Sequence, residues 1–219
     1  MALSRFKLKL LPGIERPALV SALPTASGGK AWMLDLGANV SSDADSLFQF
    51  AVMGSALVEQ YLGHPPRVAI LNIGAEEIKG NDLVKRCAEM LSQTQSVNFV
   101  GYIEGNQLLH DAADVIVCDG FAGNVMIKAS AGAANAVIHE LEAVAANGNP
   151  STQNQFAKVA QAMRPQQFNG ASILGLCGNV IKSHGNASRL GFAEAVAKAY
   201  AEQLDGIPDR IFKALAASR

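Results

Sequence analysis

Short apolar runs alternate with stretches whose apolar residues recur every three or four positions, almost throughout the chain. That alternation predicts α/β architecture with a largely parallel sheet. The first strand-like run is Ala31–Leu36, entered from the turn-prone Ser27-Gly28-Gly29. A helix follows, because Leu47, Phe50, Ala51, Gly54, Leu57, Val58 and Tyr61 share one face; Ser42 and Asp43 offer caps, and Gly63 with Pro65-Pro66 stops it. Arg67–Ile73 reads as a buried strand, and Asp82 caps a helix with Leu83, Val84, Cys87, Met90 and Leu91 on its core stripe. Val97–Tyr102 and Asp114–Asp119 read as further strands, and the longest helical pattern runs from Val125 to Val144. Asn147-Gly148-Asn149-Pro150 ends it.

Beyond that break the signal weakens. Ser151–Arg164 is a thinner helical pattern, Ser172–Ile181 is strand-like with a glycine interruption, Arg189–Leu204 is helical, and Ile211, Phe212 and Leu215 mark a short last helix. The expectation is one α/β domain over 1–219, with 140–168 as a helical surface excursion. The recurrence of G-x-x-G-N-V at Gly120–Val125 and Gly175–Val180 has unlike flanks and is read as chance in a chain with 20 glycines.

With 49% hydrophobic and 17% charged residues the chain has ample material for a core. Eighteen basic against 19 acidic residues leave a net charge of −1, so no overall field favours nucleic acid. Cys87, Cys118 and Cys177 are odd in number and widely spaced, which fits neither a disulfide framework nor a zinc site; a reducing cytoplasm is the simplest setting. No apolar run reaches the roughly 20 residues of a membrane span. Met1–Leu11 mixes Arg5, Lys7 and Lys9 with apolar residues and has no signal-peptide core, so it reads as an amphipathic element ending at Pro12-Gly13.

The chemistry is expected after the strands, where ligands bind in open parallel sheets. Asp35-Leu36-Gly37-Ala38-Asn39 follows the first run, Asn72–Gly80 with Lys79 the second, Asp119–Asn124 the fourth, and Lys182-Ser183-His184-Gly185-Asn186 the last. Four such loops on one lip would suit a phosphate or a developing oxyanion, with glycines admitting close backbone approach and helix N-termini offering N–H groups. Lys79, Lys182 and His184 would add positive charge or hydrogen bonds. Asp35-Leu36-Gly37 and Asp119-Gly120 alone also read as ordinary turns, Glu76, Glu77 and Lys79 as a solvated helix start, and Asn39 and Asn124 as helix caps, whereas Lys182-Ser183-His184-Gly185, directly after an apolar strand, reads as functional. Motifs for dinucleotides, P-loops and serine hydrolases are absent. Cys118 sits inside an apolar strand and is read as core.

The same segments carry a family resemblance. Leu11–Ala18 (LPGIERPA), Leu34–Val40 (LDLGANV), Gln49–Gly54 (QFAVMG), Leu71–Gly80 (LNIGAEEIKG), Gly101–Glu104, Val117–Val125 (VCDGFAGNV), Asn169-Gly170-Ala171 and Val180–Gly185 (VIKSHG) are similar to PlsX-type phosphate acyltransferases, in family order. The resemblance implies a three-layer α/β sandwich like isocitrate/isopropylmalate dehydrogenases and phosphotransacetylases, usually dimeric. It implies transfer of a fatty acyl group from acyl carrier protein to inorganic phosphate, for phospholipid synthesis, without metal or organic cofactor. The setting it implies is the cytoplasm, with peripheral contact at the inner face of the membrane. Family members carry a further stretch upstream, with a Gly-Gly-Asp and a Ser-x-Gly-Asn-Thr-Gly motif, so this chain is expected to be the C-terminal two-thirds of the family fold. Expected catalytic residues are Lys182, His184 and Asn39; expected phosphate contacts are Gly37, Lys79, Asp119, Gly120, Gly123, Asn124, Ser183 and Gly185. The region matching Glu140–Arg164 is linked in the family to membranes and partners, but here it is weakly basic, predicting at most transient membrane contact. A coenzyme A-dependent phosphotransacylase and a non-catalytic fragment that binds acyl carrier protein are the alternatives.

Overall fold

A computed structural model describes residues 2–146, 148–163, 170–185 and 187–218. The elements in order are α1 (Ala2–Leu8), β1 (Ala18–Pro24), β2 (Lys30–Leu34), α2 (Ala44–Leu62), β3 (Arg67–Leu71), α3 (Asp82–Gln93), β4 (Asn98–Ile103), β5 (Val115–Val117), α4 (Gly120–Ala146), α5 (Pro150–Met163), β6 (Ala171–Leu174), β7 (Ile181–Lys182), α6 (Arg189–Leu204) and α7 (Ile207–Ala217). The strands form one sheet in the order β4-β3-β5-β2-β1-β6-β7. β2 to β5 are mutually parallel, whereas β1 is antiparallel to both β2 and β6, and β7 is antiparallel to β6.

Strand side chains alternate between faces, and both faces are covered. Trp32, Leu34, Val68, Ile70, Val115 and Val117 enter one core with Phe50, Met53 and Leu57 of α2, Leu91 of α3 and Ile211 of α7. Met33, Ala69, Ile116 and Ile173 enter the other, against Ala122, Met126 and Ile127 of α4. The result is the expected α/β sandwich in three layers. Burial on both faces also explains why β1 shows no alternation: Ala18, Leu19, Val20 and Leu23 are all buried, and a two-sided strand reads as a continuous apolar run. No strand was expected there from periodicity.

Helix α2 lies over the sheet centre. Asp43 caps it by accepting from the Ser46 amide at 2.8 Å, and Gly63, at φ 74°, donates back to the Glu59 carbonyl at 2.8 Å. A β-carbon at Gly54 would stand 2.8 Å from Val115 Cγ1, so glycine is what lets the helix approach the strands this closely.

Two expectations change. Ser172–Ile181 is not one strand but a hairpin, β6 to β7, turning through Gly175 at φ 88°. The two G-x-x-G-N-V segments have unlike conformations, one opening α4 and the other lying in that hairpin turn, so they are no structural repeat. Helices α4 and α5 pack on each other with few α4 side chains buried; positions 164–168 of the expected 140–168 excursion lie outside the described residues.

Candidate active site

The carboxyl ends of β2, β3, β4 and β5 share one edge of the sheet, because the four strands are parallel. At its centre lies Asp35, directly after β2 and fully buried. An ionised carboxylate so placed needs hydrogen bonds in place of water. Oδ1 accepts from Leu19 N at 2.9 Å and Ala38 N at 2.8 Å; Oδ2 accepts from Asn39 N at 2.7 Å and Asn39 Nδ2 at 2.9 Å. Asn39 Nδ2 also donates to the Pro17 carbonyl at 2.8 Å. The β2 loop is therefore wrapped around its own aspartate, with its amides turned inward.

Helix α4 begins against this knot. A β-carbon on Gly120 would collide with the Asn39 carbonyl and crowd Asp35 Oδ2, and one on Gly123 would collide with the Asp35 carbonyl. Asp119 caps the helix, its Oδ1 accepting from Ala122 N at 2.8 Å and its carbonyl from Gly123 N at 3.0 Å. The amides of Gly120 and Phe121 belong to the first turn, which has no intrahelical acceptors. Asn124, half-buried one turn on, stands over Gly37, whose φ is 107°; a β-carbon there would sit 3.2 Å from Asn124 Cβ. Gly37, Gly120, Gly123 and Asn124 thus stand together. Cys118 lies beneath them, and burial raises its thiol well above the usual range, so it is core and no nucleophile.

The β3 loop stands beside this group, since β3 neighbours β5. Asn72, buried, donates through Nδ2 to the carbonyls of Gly74 at 3.0 Å and Lys79 at 3.3 Å, and stitches the loop shut. Lys79 pairs with exposed Glu76 at 2.9 Å; hydrogen bonding to Glu76 raises the lysine's pKa, and the same bond lowers that of Glu76. Lys79 is on the right edge, but its charge is already answered locally.

The fourth loop is elsewhere. β7 runs opposite to β6, β6 opposite to β1, and β1 opposite to β2, so the carboxyl end of β7 points toward the amino ends of β2 to β5. Three strand spacings, about 14 Å, also separate β7 from β2. Lys182, Ser183, His184 and Gly185 therefore do not join the lip of their own chain, and the expectation of four converging loops is corrected to three. Asn186 lies outside the described residues. Asn39, expected to be catalytic, directs its side-chain amide to Asp35 and Pro17. The residues that sequence reasoning passed over are Asp35 and Asn72. An acid near the end of an apolar run and followed by Leu-Gly-Ala-Asn was the available signal for the first, since a buried charge requires nearby N–H groups.

An α/β sandwich with a glycine-lined lip at the carboxyl ends of its parallel strands is a class of fold that serves many reactions. The family described as "Fatty acid synthesis protein" matches residues 1–207, and the chain belongs to that family. It is 64% identical over 217 residues to the phosphate acyltransferase of Vibrio campbellii, covering 96% of this chain and 64% of that one. It is 69% identical over 193 residues to the phosphate acyltransferase of Vibrio cholerae, covering 85% of this chain and 57% of that one. The chain thus spans about 64% or less of the length of these relatives. Among solved structures it is similar to the EutD phosphotransacetylase of Staphylococcus aureus, with a TM-score of 0.45 and 19% identity over 57% of this chain and 44% of that one.

Proposed function

We propose that this chain forms the acyl-transfer lip of a phosphate acyltransferase, which moves a fatty acyl group from acyl carrier protein to inorganic phosphate. The observation that carries the reading is the apposition of Asn124 and Gly37 at the first turn of α4, in a chain so closely related to proteins named phosphate acyltransferases. The helix N-terminus and the Asn124 amide favour an anion there. In the reaction a phosphate oxygen attacks the thioester carbonyl, whose π electrons move to oxygen to give a tetrahedral oxyanion. Collapse of that intermediate breaks the C–S bond, and the departing thiolate takes up a proton. The protein's part is to hold phosphate against the carbonyl and to stabilise the oxyanion. The first turn of α4 and Asn124 supply the donors, Gly37, Gly120 and Gly123 frame the site, Asp119 orders the helix start, and Lys79 flanks it.

The same reading makes the chain the C-terminal two-thirds of a longer family fold that works as a homodimer. Phe192, Val196, Tyr200 and Leu204 lie exposed at four-residue spacing on α6, which supports an assembly face. Among the described residues no helix is long and apolar enough to cross a membrane; for the α4–α5 pair the reading proposes at most transient contact with the inner face of the membrane, from the cytoplasm. The donor is tested by comparing acyl-acyl carrier protein with acyl-coenzyme A at equal concentration. Faster acyl phosphate formation from the carrier protein supports the reading; a preference for coenzyme A replaces it with a phosphotransacylase, and binding without turnover with a docking fragment.

A further inference from the structure

One buried side chain touches both walls of the lip. On the β2 side, the Asp35 carboxylate collects Leu19 N from β1, Ala38 N and Asn39 N from the loop, and Asn39 Nδ2, which reaches on to Pro17. On the α4 side, Asp35 Oδ2 and the Asp35 carbonyl occupy the space that β-carbons on Gly120 and Gly123 would need. Its main chain joins in, with Asp35 N donating to the Cys118 carbonyl at 3.0 Å. We infer that Asp35 is the positioning residue of the phosphate lip, setting the Gly37 loop against the first turn of α4, and that Asn39 acts through it without touching substrate. This rests on the phosphate acyltransferase reading and names the residue that holds that site in register.

The physical case is one of charge and direction. The buried carboxylate has two oxygens and spends both on N–H donors, which turns the loop amides away from the lip. The donors left for a ligand are then those of α4 and Asn124, and their placement depends on how closely α4 seats on Asp35. Asp35→Asn keeps the shape but presents an NH2 group to donors, so one side of the knot must open. Charged-acceptor hydrogen bonds in buried sites are among the costlier ones to lose.

The test uses the 219-residue chain with inorganic phosphate as the varied substrate, comparing wild type, D35N, N39A and the double variant, with melting temperatures alongside. D35N is expected to raise KM for phosphate about 10-fold, the equivalent of one lost charged hydrogen bond. N39A moves KM in the same direction by less, and the double variant is no worse than D35N, because the two belong to one network. A purely structural role lowers the melting temperature and the active fraction but leaves KM unchanged in both single variants, and that result overturns the inference. So does a fall in kcat at constant KM in N39A, which would place its amide on the oxyanion. Should D35N fail to fold, N39A decides alone, since it keeps the carboxylate and its three backbone donors. Titration of the wild type with inorganic phosphate separates the two levels: a chain that neither binds phosphate nor turns over removes the acyltransferase reading and this inference with it, whereas a working wild type with unmoved KM in the variants removes only the inference.

Discussion

Gly123 lies so close to the Asp35 carbonyl that a β-carbon there would overlap the oxygen. The contact joins the helix after β5 to the loop after β2, and no flexible side chain intervenes to absorb a methyl group. Gly123→Ala must therefore displace backbone. Overpacking of this kind costs about 1–3 kcal/mol, and chemical denaturation should show a loss in that range with acyl transfer falling further than stability. A variant as stable and active as wild type would mean the helix start is not held there.

Asp114 closes the opposite end of the sheet. Its carboxylate accepts from Arg67 N at 2.7 Å, Nε at 3.2 Å and Nη2 at 2.9 Å. Burial opposes ionisation of Asp114, but the Arg67 hydrogen bonds and charge outweigh it and hold the carboxyl below its ordinary range. A group with a depressed folded pKa adds stability above its unfolded pKa, about 4 for aspartate, and loses it as pH falls through the folded value. Melting temperature measured from pH 6 downward should drop less steeply in Asp114→Asn than in wild type; parallel curves would deny the clamp its role.

Glu202, on α6, is buried and accepts from the Ser172 hydroxyl and, at 3.5 Å, from Tyr61 Oη; the Lys198 ammonium lies 3.9 Å away and donates to the Gly170 carbonyl at 2.8 Å. Desolvation raises the pKa of Glu202 and lowers that of Lys198, each partly offset by the other's charge. Glu202→Ala strands the lysine and should destabilise by about 3 kcal/mol. Adding Lys198→Met should recover most of that loss in urea unfolding, and a double variant no better than the single would contradict the coupling.

Asn72 stitches its loop through two carbonyls, and Asn72→Ala leaves the buried Gly74 carbonyl without its partner, at a cost of about 1–3 kcal/mol. Amide exchange at residues 73–80 should quicken while α2 stays protected. Equal protection of the loop in both proteins would show that Gly80, at φ 91°, and the Glu76–Lys79 pair suffice.

Much of this was readable from the residues, and the failures have physical causes. The parallel core was legible because β3 and β5 are apolar runs bounded by turns, and α2 because its stripe and its Asp43 and Gly63 caps agree. β1 was not, since burial on both faces erases the period that marks a strand. The direction of β7 was hidden for another reason: whether a strand runs up or down depends on its partner, and nothing local in Ile181-Lys182 encodes that Ala171 and Ser172 face it antiparallel. The Lys182–Gly185 cluster therefore seemed to belong with loops that it leaves behind. Asn39 and Asn124 looked alike as asparagines in glycine-bearing loops, yet one is turned into Asp35 and the other stands over Gly37.

The most direct measurement is the acyl phosphate itself, trapped with hydroxylamine as the hydroxamate, from acyl-acyl carrier protein and phosphate with this chain and with Asn124→Ala. The account predicts phosphate-dependent product from the unmutated chain and a loss of about 10-fold or more in the variant, as for a removed oxyanion or anion donor. Product that is independent of phosphate, or equal rates from the two proteins, would contradict it.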